Sequence, residues 1–476
     1  MPDLSRLLLS RFLAPAAGLV SLAFFTVIYF AAPGFYALVA KMLIFLPATA
    51  PFADWHWILM STKCWSEGAN VYFDNPCFPH FMGVAFNYPP LWLRLSFLGR
   101  AEPWNVQTAF PIVILFFLAL ATLPPPRTMR DQVILLLAAV SSGIWLGVER
   151  GNADILLFLL AVIALNLRVL SLPFRLAAYA LLVLAGLLKL YPFAALIVAL
   201  RERWAVFAAV GLASVAVLLA MGVVYHQELR WMAGQLPAPA YFDVQFGSTE
   251  FAVLLGVTVA NCLQAVLHEP IATARAAGDA VTHLAPPFLL LIAMLGAVIV
   301  GRRCRLTSAL AQLSERETGY LVVGSAMIVG CFFMVNSHIF RGMYLLLALP
   351  GLAAMSRQNA TPQARWIFST TCIAVPLVLW KPFFDMCLIV AAHWKSARGN
   401  NDDPYNAFPG LTPDYVLWLV NELAWWWIII VLLAVLGAWV LRSDAWALLT
   451  RLLPAGTFAR KAPAGVGASL IPPKRT

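Results

Sequence analysis

The sequence predicts an all-α, polytopic membrane protein, and three observations predict it. Hydrophobic residues fill 62% of the 476 positions and charged residues only 11%, a balance that a water-soluble globular domain does not tolerate. Apolar runs long enough to cross a hydrocarbon core, about 20 residues each, recur along the whole chain. Basic residues gather in short connections between those runs: Arg6 and Arg11, Arg127 and Arg130, Arg168 and Arg175, Arg201 and Arg203, Arg302, Arg303 and Arg305, Arg357 and Arg365, and Arg442, Arg451, Arg460 and Lys461. That is the positive-inside pattern, and it assigns these connections to the cytoplasm. The net charge of +10 is then a topology signal, which argues against nucleic acid as a partner.

The elements follow in order. The run 12–40 is too long for a signal-peptide core and no small-residue cleavage site follows it, so it reads as a retained span that leaves the bilayer before Asp54. Segment 91–98 is too short to cross and follows Pro89 and Pro90; it is expected along the interface, with Trp92 and Trp104 at headgroup level. Spans are expected near 104–123, 131–148 and 153–169. The run 175–200 begins and ends with cytoplasmic arginines and is broken in its middle by Lys189-Leu190-Tyr191-Pro192. Proline interrupts a helix and restricts the residue before it, so this run predicts a short hairpin whose tip points to the outer face. A span at 204–225 comes next, then a polar, aromatic stretch over 226–248. The run 250–267 is expected as an outer-face or re-entrant helix, because a crossing there would move the arginines at 302–305 outside. Further spans fall near 284–301, 319–336, 339–356, 366–392 with a kink at Pro376 or Pro382, and 417–441. Loop 394–416 is then outside. The expectation is one transmembrane domain over 1–450 with about 12 crossings, and a disordered cytoplasmic tail over 451–476.

Seven cysteines are scattered without metal-ligand spacing, so no structural metal is expected. Cys64 and Cys77 share one outer loop; an oxidising compartment would permit a bridge, and the residues leave both states open.

This topology brings far-apart polar residues to one level near the outer face. They are Asp54, the loop from Tyr72 to Pro90, Glu149-Arg150-Gly151-Asn152, Lys189 with Tyr191, and Asn336-Ser337-His338 with Arg341. Ionisable residues at membrane depth are expensive and point to function. Each also has a plainer reading. Arg150 and Asp154 stand at i,i+4 and can pair on one helix face. Lys189 can snorkel, His338 can be a satisfied bundle residue, Tyr88-Pro89-Pro90 can simply start an interfacial helix, and Asp54 can anchor a helix end. Lys381 reads as an interfacial charge, and Glu67 and Asp74 as solvated loop acids.

The order of motifs brings a family into view. Asp54, then Gly68, Tyr72 and Tyr88-Pro89-Pro90, then Gly151-Asn152 opening a helix, then Lys189-Leu190-Tyr191-Pro192, then Ser337 with Tyr344 and a Leu-Pro end resembles glycosyltransferase family 87. These are type C membrane glycosyltransferases that use polyprenyl-phosphate sugars, mannosyltransferases among them. The resemblance covers about residues 50–350. It implies a type C bundle of about 10–13 transmembrane helices, amphipathic helices at its outer rim, and a cavity open to the periplasm of a bacterial inner membrane. Asp54 corresponds to the catalytic acid of the first outer loop. The chain departs from the family with Gly151-Asn152 in place of Gly-Gln, Lys189-Leu190-Tyr191-Pro192 in place of Lys-Pro-Tyr-Pro, and Gly247-Ser248-Thr249 in place of an Asn-Gln-Ser type sequence. These differences bear on the sugar more than on the reaction.

The implied chemistry is transfer of a hexose, mannose or pentose from a polyprenyl-phosphate donor to a lipid or glycan acceptor, with inversion. Asp54 acts as the base. Arg150, Lys189, His338 and Arg341 receive the departing phosphate, with Asn152 beside them. Tyr72, Tyr88 and Tyr191 stack on sugar or hold the prenyl chain. No metal or other cofactor is required. Two other readings use the same features: a carrier or flippase for a lipid-linked sugar, which needs no acid in the first outer loop, and a surface-polysaccharide ligase or polymerase, which typically depends on a larger Arg- and His-rich outer loop.

Overall fold

The computed structural model describes residues 10–44, 51–73, 75–77, 85–236, 245–334, 336–358, 361–393 and 413–446. These form a helical bundle in which the strand pairing among the described residues is limited to β1 (Gln245–Phe246) against β2 (Ser337–His338), antiparallel. Among the described residues, eight helices are long and apolar enough to cross a membrane, or up to ten when two bent pairs are each taken as one span. That is fewer than the 12 expected crossings, because helix Ala153–Arg168 and the two arms of the 172–201 hairpin are shorter than a full crossing and two further expected spans are broken. The first run is two helices, Leu13–Ala31 and Pro33–Ile44, because Ala32 leaves the helical region and Pro33 starts afresh. The expected 131–148 span is Met129–Ala139 and Ser142–Arg150, bent by 40°. The 366–392 run breaks at Trp380, two residues before Pro382, with a 54° bend between Pro362–Leu379 and the segment from Lys381. Loop 394–412 and the tail 447–476 lie outside the described residues.

The expected hairpin is present. Helix Leu172–Leu188 is followed by Tyr191–Arg201, eleven residues of 3-10 helix. At about 1.5 Å and 2.0 Å rise per residue the arms measure about 25 and 22 Å, short of a ~30 Å hydrocarbon core. The tighter helix lets a shorter arm return to the level where the first began. There, Arg175 Nη1 lies 3.5 Å from Glu202 Oε2 and Tyr179 OH donates to Glu202 Oε1 at 2.8 Å.

Thr249–Val266, expected as an outer-face or re-entrant helix, is a continuous helix of 18 apolar-rich residues that starts at the cavity end, where Ser248 donates its N–H to Phe332 O at 2.8 Å. It returns against the first half of Ile271–Arg303, so closely that a Cβ on Gly256 would sit 2.4 Å from the Gly278 carbonyl oxygen. The second half of that long helix carries Gly296 against Ile430 of Pro413–Leu441 and ends on Arg302 and Arg303. One helix thus serves the hairpin with one half and the bundle with the other. Segment 91–98 is the pair of short helices Leu91–Arg94 and Ser96–Arg100. Trp104 is 59% exposed, but Trp92 is buried and donates Nε1–H to Leu188 O at 3.0 Å. Its indole found a carbonyl partner inside the bundle rather than a headgroup.

Three elements give the bundle two ends. Helix Ala153–Arg168 starts beside Asp54 and ends at the buried Arg168. Helix Glu315–Met334 starts where Arg127 Nη2 meets Glu317 Oε1 at 2.8 Å and ends at the level of the cavity described below. Helix Leu345–Gln358 starts after Tyr344 and ends where Arg357 pairs with Asp131. Over 14 to 20 residues each covers about 20–30 Å. The basic connections collect at one end and the candidate site residues at the other.

The centre is packed through small residues, as helices without a hydrophobic driving force between them require. A Cβ on Gly324 would sit 2.6 Å from the backbone N of Ala348, whereas a Cβ on Gly211 would meet nothing within 4 Å. Gly324→Ala should therefore destabilise by about 1–3 kcal/mol through overpacking and lower the thermal midpoint of the detergent-solubilised protein. Gly211→Ala should leave the midpoint unchanged or slightly raised. Equal midpoints for the two variants would contradict the close packing.

Candidate active site

A cavity of about 330 Å³ opens at the end opposite the basic connections. Its position follows from a backbone turn. Helix Ser142–Arg150 ends on Gly151, which has φ +59, a left-handed conformation that closes helices and favours glycine. Phe52 also has φ 59 and donates its N–H to Glu149 O at 2.7 Å. A Cβ on Gly151 would lie 3.0 Å from the Phe52 Cβ, so conformation and space both demand glycine. This contact sets the first turn of helix Ala53–Ser66 beside the Arg150-Gly151-Asn152 corner. Asp54, in that turn, accepts from Arg150 Nε through Oδ1 at 3.0 Å and from Asn152 Nδ2 through Oδ2 at 2.6 Å.

A second carboxylate lies behind the first. Asn152 caps helix Ala153–Arg168 by accepting the Asp154 N–H at 3.0 Å, and the same oxygen is 3.4 Å from Lys189 Nζ. Lys189 donates to Asp154 Oδ2 at 2.8 Å, and Arg341 Nε is 3.8 Å from that oxygen. Tyr191 and Tyr344 both donate to Asp154 Oδ1, the latter at 3.0 Å, and their hydroxyls are 2.7 Å apart. Lys189 Nζ also stands 4.9 Å from the Tyr88 ring centre, and the Arg341 guanidinium 5.2 Å from that of Tyr191, both cation–π distances. Three cations, Arg150, Lys189 and Arg341, stand against two carboxylates, Asp54 and Asp154. The arrangement can hold an anion beside a carboxylate. Burial, reinforced by Asp54 and Asp154, pushes the Tyr88 phenol well above its usual value. It stays a neutral hydroxyl.

Of the residues expected at the site, Asp54, Tyr88, Arg150, Asn152, Lys189, Tyr191, His338 and Arg341 all line this cavity. Tyr72 does not. Its ring is buried among Trp65, Phe86 and Trp231, its hydroxyl donates to Tyr88 O at 3.2 Å, and burial raises its phenol above the usual value. Tyr72 supports the Tyr88 backbone. The i,i+4 pair of Arg150 and Asp154 does not form, because Gly151 separates two helices and each residue takes a different partner. Lys189 does not snorkel; it is 8% exposed. Lys381, expected at an interface, is buried and meets Asp385 Oδ2 at 2.5 Å. Glu67 is exposed, as a solvated loop acid would be, and Asp74 lies outside the described residues. Cys64 and Cys77 form a disulfide. Among the described residues, no three of His, Cys, Asp and Glu gather as a metal site would need.

Sequence reasoning gave Asp154 and Trp57 no place at the site, and it grouped Asn336 with the outer-face polar residues without assigning it a role. Asp154 was read as a partner of Arg150, although an acid opening an apolar helix was itself a signal. Trp57 follows Asp54 by three positions on one helix, so the two share a face; it lines the cavity, and its buried Nε1 has no hydrogen bond among the described residues. Asn336 lines the cavity and is held by Glu250, accepting through Oε1 at 2.8 Å, and by Thr249. With the β1–β2 pairing, this fixes Ser337 and His338 at the rim. That contact joins positions 86 residues apart and had no local signal.

Compared with known proteins, the chain matches no family model, no curated protein and no solved structure. The functional reading therefore rests on motif order and on this geometry.

Removing one partner of a buried charge pair typically costs about 3–5 kcal/mol. Asp154→Asn should approach that loss by leaving Lys189 and Arg341 uncompensated. Adding Lys189→Met should return part of it, which a double-mutant cycle on thermal or denaturant unfolding would measure. Strictly additive losses would show that Asp154 and Lys189 are not coupled.

Proposed function

We propose that this protein is a membrane glycosyltransferase that moves a sugar from a polyprenyl-phosphate donor to a hydroxyl of a lipid or glycan acceptor, with Asp54 as general base. The observation that carries this reading is that Asp54 faces the same cavity as Arg150, Lys189 and Arg341. Both Asp54 oxygens are already oriented, by Arg150 and Asn152. A carboxylate has about four lone-pair sites, so two hydrogen bonds leave capacity to accept an incoming hydroxyl proton.

In the proposed step the acceptor oxygen forms a bond to the anomeric carbon as the bond from that carbon to the phosphate oxygen breaks. The electron pair of the broken bond leaves with the polyprenyl phosphate, and the acceptor proton passes to Asp54. A single displacement inverts the anomeric centre. Charge grows on the departing phosphate, and the cations are preorganised to meet it. Lys189 and Arg341 are fixed by Asp154, so they need not reorganise as the phosphate charge develops. Trp57 and Tyr88 offer ring faces and N–H or O–H donors to a sugar. His338 stands at the rim beside Ser337.

The orientation follows from the positive-inside rule. With the basic end in the cytoplasm of a bacterial inner membrane, the cavity opens to the periplasm. The Cys64–Cys77 bridge, on the helix that carries Asp54, fits that oxidising side.

The test is purification followed by a panel of polyprenyl-phosphate sugars assayed for binding and turnover. Asp54→Asn should lower turnover by about 10²–10⁴-fold while donor binding stays near normal. Substantial retained turnover would remove Asp54 from the base role. A flippase would instead move the lipid-linked sugar across vesicles without transfer and would be indifferent to this substitution. Lys189→Ala and Arg341→Ala should each weaken donor binding by about tenfold or more, as expected for a charged hydrogen-bond partner. Unchanged donor affinity would reject the phosphate role for that residue.

A further inference from the structure

On the outer surface, towards the basic end, lies a groove that the site does not use. It runs between helices Met129–Ala139 and Pro362–Leu379 and encloses about 400 Å³. Its walls, among them Ile134, Leu137, Ile373 and Leu377, are apolar, and it ends at Trp380. The Trp380 indole donates Nε1–H to Leu137 O at 2.9 Å and closes that end.

Two arginines stand at the other end. Arg130 lies one helical turn before Ile134. It donates from Nη1 to Ser369 Oγ at 3.0 Å and from Nη2 to Ser369 O at 3.0 Å, so it bridges the two helices at the groove's mouth. Each of these nitrogens carries a second N–H. Arg365 precedes Ser369 by one turn and Ile373 by two, which places the three on one helix face. Arg365 is exposed, and its side chain makes no hydrogen bond or ion pair among the described residues. The neighbouring acid, Asp131, is taken by Arg357. The groove therefore has an apolar floor and a positively charged mouth. From Ser369 to Trp380 it follows eleven residues of helix, about 16 Å, which is half of a ~30 Å hydrocarbon core.

We propose that this groove binds one anionic diacyl phospholipid of the leaflet facing the basic end, its phosphate on Arg130 and Arg365 and an acyl chain along Ile134, Leu137, Ile373 and Leu377. The chemistry that selects it is charge. Guanidinium groups engage phosphate oxygens in forked pairs. A zwitterionic lipid brings the same phosphate together with an ammonium that two cations repel, and basic pockets between transmembrane helices on the cytoplasmic side suit anionic headgroups. The length match selects a lipid over a free anion, because only a lipid also fills the apolar floor. A second copy of this chain is disfavoured, because a symmetric contact would bring arginines against arginines.

The experiment is native mass spectrometry of the detergent-purified full chain titrated with phosphatidylglycerol or phosphatidylethanolamine of the same acyl composition, with inorganic phosphate as competitor. The expected result is phosphatidylglycerol bound at least about fivefold more tightly, a factor of about five being the contribution of one arginine near a membrane surface. Arg365→Gln should lose about fivefold, and Arg130→Gln with Arg365→Gln should abolish the preference. Ile373→Trp, which fills the groove and leaves the arginines, should weaken both lipids. Inorganic phosphate should not displace the bound lipid. Equal affinity for the two lipids in the unmodified protein would overturn the proposal. So would a preference that survives the double replacement, displacement by inorganic phosphate, or a dimer that Ile373→Trp dissolves. Because the Arg365 side chain makes no hydrogen bond or ion pair among the described residues, its single replacement tests the proposal even if the double variant does not fold.

Discussion

A dry carboxylate organises the working end of this protein. Asp154 is fully buried and is met by Lys189, Arg341, Tyr191 and Tyr344. An isolated carboxylate there would be too costly to keep charged, and so would either cation. Together, with the two phenols occupying the second oxygen, they are tolerated. The consequence is architectural. Lys189 and Tyr191 form the tip of the Leu172–Arg201 hairpin, and Arg341 and Tyr344 belong to the turn that opens helix Leu345–Gln358. Two remote stretches are drawn to the start of helix Ala153–Arg168, and the cavity is the space left beside them.

Asn152 transmits that order to Asp54. Its amide has one oxygen and one nitrogen, and each has its own duty. The oxygen caps the helix and faces Lys189, and the nitrogen holds Asp54. The two carboxylates are thereby divided by environment. Asp154 has no exposed side-chain surface, while that of Asp54 remains 13% exposed and faces the cavity. Division of this kind is how paired acids acquire different roles. A carboxylate fixed at both oxygens, yet open on one side, is suited to receive a proton from a bound hydroxyl, and one ringed by donors is suited to hold cations in place.

Much of this was legible in the chain, and the failures have physical reasons. Apolar length and the positions of arginines located most spans, and Pro192 in the middle of a run bounded by arginines at both ends was enough to foresee a hairpin. The positive-inside pattern also brought Asp54, Arg150, Lys189 and Arg341 to one level from the sequence alone. What failed was partner choice. Arg150 and Asp154 have the spacing of a helix pair, but Gly151 reverses the backbone between them, and spacing alone does not reveal that. Trp92 carries the mark of an interfacial residue, yet the Leu188 carbonyl freed at the hairpin's end gave its N–H a better partner. Tyr72 was grouped with the site because it is a tyrosine in the right loop, and it sits one layer behind. Breaks between Ala139 and Ser142 and at Trp380 cost the count of spans, since a long apolar run announces its total length and not where its helix will bend.

The proposed chemistry has one carboxylate at the reacting centre as base, with Asp154 held away by its cations and phenols. Among the described residues no second free carboxylate lines the cavity, and the proposed chemistry is a single displacement. The most direct measurement is the anomeric configuration of the product, read by nuclear magnetic resonance after single-turnover transfer from a polyprenyl-phosphate sugar of known configuration. Inversion is the predicted result. A product that retains the donor's configuration would contradict the account.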